Sequence, residues 1–153
     1  MLRRRGSPWT FNSKQLIEDL GRVKSVGSGI LPTYSRKLSD PIPDGIELKK
    51  SHKIVFVEGN YLLNYKDHEW SPLEPTFDEK WYLKCENLEV QRERLINRHL
   101  ETWSDAKTRQ FGAGRGGAAL KADSNDMKNA VIIEENSLQF ADRIILSVND
   151  KEF

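Results

Sequence analysis

The feature that most limits what this chain can become is the stretch Lys53-Ile54-Val55-Phe56-Val57-Glu58-Gly59-Asn60-Tyr61-Leu62-Leu63. Ile54 to Val57 is an unbroken apolar run of β-branched and aromatic residues that meets an acid, a glycine and an amide. Such a run suits a strand covered on both faces, which places it in a parallel sheet. Parallel sheets bind ligands outside the carboxyl ends of their strands, where Glu58 falls. Glu58 reads equally as a solvated end residue and as an acid that holds a metal or a reacting group.

The remaining elements follow from local signals. Asn12 caps a helix with Gln15 three residues on, and Leu16, Ile17, Leu20 and Val23 repeat at helical spacing until Val26-Gly27-Ser28-Gly29 ends it. From Leu31 to Gly45, Pro32, Pro41 and Pro43 predict a loop with one short extended piece, Pro32-Thr33-Tyr34-Ser35. Tyr34 suits packing or a ligand hydrogen bond. Asp44-Gly45 is a turn signal ahead of the apolar run. Residues 80–85 read as a second strand, and 141–148 as a closing one. Asn87 caps a second helix whose buried stripe is Leu88, Leu95, Ile96, Leu100 and Trp103. On that helix Arg94 and Arg98 lie four apart and share a face, which serves either as a solvated basic surface or as a clamp on a polyanion.

Residues 111–118 are glycine-rich but lack the Gly-Lys-Ser/Thr ending of a phosphate-binding loop and follow no predicted strand. They read as a flexible connection, with Arg115 as their one charge and room for a mobile lid across 104–130. Ser124-Asn125-Asp126 begins a last helical or extended segment through Ile133. Strand, helix, strand, helix, strand gives an α/β class: one domain over 1–153, with a small parallel sheet flanked by helices.

Composition narrows the function. With 24 Lys plus Arg against 23 Asp plus Glu, the net charge of +1 gives no bulk attraction to nucleic acid or membrane. An RNA-binding surface built on Arg3 to Arg5, Trp9 and Arg115 is a poor fit, because basic and aromatic residues are not interleaved. Those three arginines are a solvated terminus or part of an anion site. One cysteine, Cys85, excludes an internal disulfide and points to a reducing, cytoplasmic setting. Three scattered histidines have no metal-ligand spacing. No apolar run approaches the ~18 residues that span a bilayer. Only 37% of residues are hydrophobic, a thin core for an α/β chain of 153 residues. Oligomeric state is not legible.

Taken in order, several stretches resemble the uridine kinase, pantothenate kinase and phosphoribulokinase group of P-loop kinases, above all its uridine kinase-like branch. Arg4-Arg5-Gly6-Ser7-Pro8-Trp9-Thr10-Phe11-Asn12 is similar to the loop after that group's second strand. Pro32-Thr33-Tyr34-Ser35 with Asp40 and Pro43-Asp44-Gly45 resembles the acceptor-substrate loop, and Val57 to Leu63 the metal-side strand end. Arg92-Glu93-Arg94-Leu95 with Arg98-His99 resembles the helix leading into the phosphate-clamping lid, and Ser124-Asn125-Asp126 with Asn129 the segment after it.

The resemblance implies ATP-dependent phosphorylation of an alcohol group on a small molecule: a nucleoside, a pantothenate-like compound or a sugar. By it, Glu58 binds or orients Mg²⁺, and Arg94 and Arg98 neutralise the transferred phosphoryl group. Arg5 and Tyr34 face the acceptor, and Asn125 and Asn129 lie near the nucleotide base. The departure is that the sequence holds no Gly-x-x-x-x-Gly-Lys-Ser/Thr and opens at the loop that follows the group's second strand. The group's phosphate-loop strand lies between the strand ending at Glu58 and the strand 81–85. The expectation is therefore a partial P-loop sheet, truncated at its amino end and inactive as it stands. The alternative is a non-catalytic binding or regulatory protein derived from such a kinase.

Overall fold

A computed structural model gives the fold of residues 6–35, 38 and 40–148. Helix α1, Ser13–Val26, begins where Asn12 accepts a hydrogen bond from the Gln15 amide. It ends at Gly27, whose φ of 76° is a left-handed cap that costs a glycine little. Helix α2, Leu88–Glu101, starts the same way, with the Asn87 side chain accepting from the Val90 amide. Both boundaries agree with the sequence.

The region 31–45 does not form the expected loop. Strands β1, Gly29–Ser35, and β2, Asp40–Leu48, pair as an antiparallel ribbon. Pro32, Pro41 and Pro43 are tolerated because a two-stranded ribbon consists only of edges, where a missing N–H need not break a ladder. The register slips between Leu31 and Thr33. There β2 carries Asp44 at φ 56°, so the expected turn at Asp44-Gly45 is a bulge inside a strand. Gly45 is required at that point, since a Cβ would stand 2.3 Å from Thr33 Oγ1.

The apolar run 54–57 is likewise not a strand. It is irregular, and Ile54, Val55 and Phe56 are 74%, 48% and 81% exposed. A strand exists only with a hydrogen-bonded neighbour, and no described strand pairs with this segment. The parallel sheet is reduced to β3, Trp81–Cys85, beside β4, Arg143–Ser147, paired in register from Trp81↔Arg143 to Cys85↔Ser147.

After α2 come α3, Asp105–Phe111, and α4, Gly114–Lys121, so the glycine-rich stretch is largely helical instead of a loose connection. Helix α4 passes through a wide π turn, Ala122–Asp126, into α5, Met127–Ser137. Ala122 and Met127 keep right-handed helical angles, so the three make one continuous helix.

The core is split. One cluster gathers Leu20, Tyr61, Leu63, Tyr65, Trp70 and Leu73, with Leu16, Ile17 and Phe140 against it. A second, smaller cluster of Ile96, Ala118 and Ala122 joins α2 to α4. Of the predicted α2 stripe, Ile96 is buried, while Leu88 is 39% exposed.

Candidate functional site

Between residues 53–63 and β3 lies an open groove of about 1410 Å³. The exposed Val55 and Phe56, with the half-buried Val57, form one wall, β3 the other, and Ile133 and Glu134 of α5 also line it. The rings of Phe56 and Trp81 approach to 6.3 Å. Lys84 and Glu134 form an ion pair of 2.5 Å between the β3 wall and α5. Burial, with the negative charge of Glu134 second, raises the Tyr82 phenol above its ordinary value. Glu58 is exposed and lines this groove.

Among the described residues, the other expected site residues are not gathered with Glu58. Neither Arg94 nor Arg98 lines the groove. Arg94 turns to the carboxyl ends of β3 and β4: Nη1 donates to Ser147 Oγ at 2.8 Å and Nη2 to the Ser147 carbonyl at 2.9 Å. Nη1 also stands 3.5 Å from Cys85 Sγ. Arg98 is exposed in the last turn of α2. Tyr34 is 59% exposed on β1, and Arg5 lies outside the described residues.

Asn125 sits in the π turn, its amide 3.4 Å from Asp126 Oδ1. Asn129 is buried at 6% exposure and faces inward. Its Oδ1 accepts from Ser7 Oγ at 3.1 Å, and its Nδ2 donates to the Gly6 carbonyl at 3.4 Å. Both ends of this amide are thus engaged by the Gly6–Ser7 segment.

A further cluster has no signature in the sequence. His99 Nε2 lies 2.6 Å from Asp126 Oδ2, and Lys121 Nζ lies 3.7 Å from the same oxygen. With its proton on Nε2, the imidazole donates to the carboxylate. Burial pushes His99 below its ordinary value, against the Asp126 hydrogen bond, which raises it. Twenty-seven residues separate this pair, so spacing could not reveal it. Nearby, Arg92 grips Asp123 with two bonds of 2.7 Å, and Arg115 reaches Glu93 and Asn97. These bonds tie α4 and the π turn to α2.

No group of three or more His, Cys, Asp or Glu among the described residues could hold a metal ion. Glu58 thus offers a single carboxylate, enough for Mg²⁺ only when nucleotide phosphates and water complete the shell. The glycines of 112–117 are not a phosphate cradle: a Cβ on Gly117 would stand 2.0 Å from the Gly112 carbonyl, so the residue is small for packing. The described residues therefore do not fit ATP phosphates by themselves.

Comparison with known proteins supplies the kinship. A uridine kinase-like protein of Schizosaccharomyces pombe is 31% identical over 86% of this chain and 53% of its own length. An ATP-dependent kinase of Zygosaccharomyces rouxii is 28% identical over 97% of the chain and 45% of its own length. The chain is a homologue of these kinase-like proteins. A solved structure from Silicibacter, described as a fructose transport system kinase, matches with a TM-score of 0.79 at 26% identity, over 94% of this chain and 64% of that one. The fold is an α/β fold like that of a P-loop kinase. The chain spans about half the length of the curated relatives it matches. No protein-family model matches it. No helix among the described residues is long and apolar enough to cross a membrane.

Proposed function

We propose that this chain carries the acceptor side and lid side of an ATP-dependent phosphotransferase that acts on an alcohol group of a small molecule, and that the 153 residues alone do not turn over ATP. What carries the reading is the joint agreement with kinase homologues over nearly the whole chain, in sequence and in fold. Within it, Glu58 at the groove would orient Mg²⁺ on nucleotide phosphates, Arg98 would meet the transferred phosphoryl group, and Tyr34 with Arg5 would face the acceptor. Asn125 lies toward the nucleotide. Placing positive charge where phosphate charge develops is the main work of protein groups in phosphoryl transfer.

A chimera tests this. The part of the fission-yeast relative outside the aligned region, joined to this chain, is expected to phosphorylate at least one of a nucleoside, a pantothenate-like compound or a sugar. Glu58→Ala in that chimera should lower kcat about 100-fold or more. A folded chimera with no phosphotransfer on any of them counts against the reading. Turnover by the 153-residue chain alone, abolished by Glu58→Ala, would overturn the stated insufficiency.

A second reading, a non-catalytic binding or regulatory protein of kinase descent, is favoured by one observation: Arg94 is committed to Ser147 and Cys85 and does not open onto the groove. It predicts a chain that binds the small molecule or a kinase partner and gives no activity in the chimera.

A further inference from the structure

Three stretches far apart in the sequence converge on one buried junction. The Tyr61 hydroxyl donates to the Gly6 carbonyl at 2.7 Å, and the Asn129 amide donates to the same oxygen at 3.4 Å. Ser7, fully buried, donates its hydroxyl to Asn129 Oδ1. Beside the junction, Phe11 packs edge-on against Tyr61 at 5.5 Å and Trp70 at 6.3 Å. The loop between is a single turn, Pro8–Thr10, closed by the Thr10 amide on the Ser7 carbonyl and the Phe11 amide on the Pro8 carbonyl.

Tyr61 stands three residues after Glu58, and Asn129 stands at the start of α5, in the helix that runs on from α4 and the π turn. The junction therefore joins the Gly6–Phe11 loop to the segment bearing the groove acid and to the helix behind the latched α2–α4 pair. Satisfied buried hydrogen bonds fix geometry strongly, because breaking one strands polar groups away from water.

We propose that Asn129 and Tyr61 are positioning residues, which hold the loop at Gly6–Phe11 against the Glu58 segment and register it to the lid-side helix. The loop's place in a kinase site rests on the proposed function; its being held by Asn129 and Tyr61 does not, and the test reads the holding directly.

The 153-residue protein, wild type, Asn129→Ala, Tyr61→Phe, Ser7→Ala and the double variant Ser7→Ala/Asn129→Ala are followed by hydrogen exchange at the Thr10 and Phe11 amides. A 5-fluorotryptophan NMR signal for Trp9, assigned with Trp9→Phe, reports the loop independently. The expected result is about tenfold faster exchange at those two amides in Asn129→Ala. A smaller gain is expected in Tyr61→Phe, which keeps the aromatic packing. The Trp9 signal should shift or broaden while the Trp81 and Trp103 signals stay in place. The double variant should exchange no faster than Asn129→Ala, since both changes break the same bond. Unchanged exchange and an unchanged Trp9 signal would overturn the proposal. So would acceleration spread evenly over α1, α2 and α5, which assigns Asn129 to general stability.

Discussion

His99 shows how one side chain sets a pH dependence. Its ring is nearly enclosed between α2 and the π turn, bonded to Asp126 and faced by Lys121, with Arg98 beside it. Burial lowers its pKa from the ordinary 6.5 and outweighs the bond to Asp126, which raises it. The folded protein then binds fewer protons here than the unfolded chain. Stability from neutral His99 is whole above 6.5 and is lost as pH falls through 6.5 toward the lower folded value. Melting followed by circular dichroism from about pH 7.5 to about pH 5.5 should show a falling midpoint, above the range where carboxylates titrate. His99→Gln should flatten that slope. A wild-type midpoint that holds steady across the window, or an unaltered slope in His99→Gln, defeats the assignment.

At the scale of elements, α4 explains what its glycines are for. Gly117 packs where a Cβ would meet the Gly112 carbonyl at 2.0 Å and the Trp103 ring at 3.0 Å, whereas nothing lies within 4 Å of a Cβ on Gly116. Gly117→Ala should therefore destabilise by about 1–3 kcal/mol through overpacking. Gly116→Ala should stabilise by about 0.5–1 kcal/mol through helix propensity. Urea midpoints decide, and equal effects of the two substitutions would show that close packing is not the reason for glycine at 117.

The same helix marks the limit of what the sequence discloses. The caps at Asn12 and Asn87 were legible because each acts on an amide three residues away. So were α1, α2, β3 and β4, whose patterns are local. The ribbon β1–β2 was not, since prolines count against a strand only where a ladder needs their N–H. Ile54 to Val57 reads as a strand but is none, because pairing depends on a neighbour and not on the run itself. In the site, Glu58 lines the groove, but the strand end on which the sequence put it does not form. The inward commitment of Asn129 depends on a partner 122 residues away and was beyond any local pattern.

Across the whole molecule, the division of the core into two small clusters leaves apolar surface uncovered around the groove. Phe56 is 81% exposed, Ile54 74% and Leu83 69%, and all three line the groove. A two-stranded sheet with open edges and such a patch is prone to self-association, through edge pairing and through burial of the patch. Residues this exposed contribute little to the fold, so charging them should leave stability within about 0.5 kcal/mol. Phe56→Glu and Leu83→Lys together are expected to lower light scattering of concentrated protein severalfold while the urea midpoint hardly moves. If scattering persists in the double variant, association runs through another surface, with the exposed Ile42 and Ile46 of the β1–β2 ribbon the next to charge. If the urea midpoint drops sharply instead, Phe56 and Leu83 belong to the packed fold, and the groove is closed in solution.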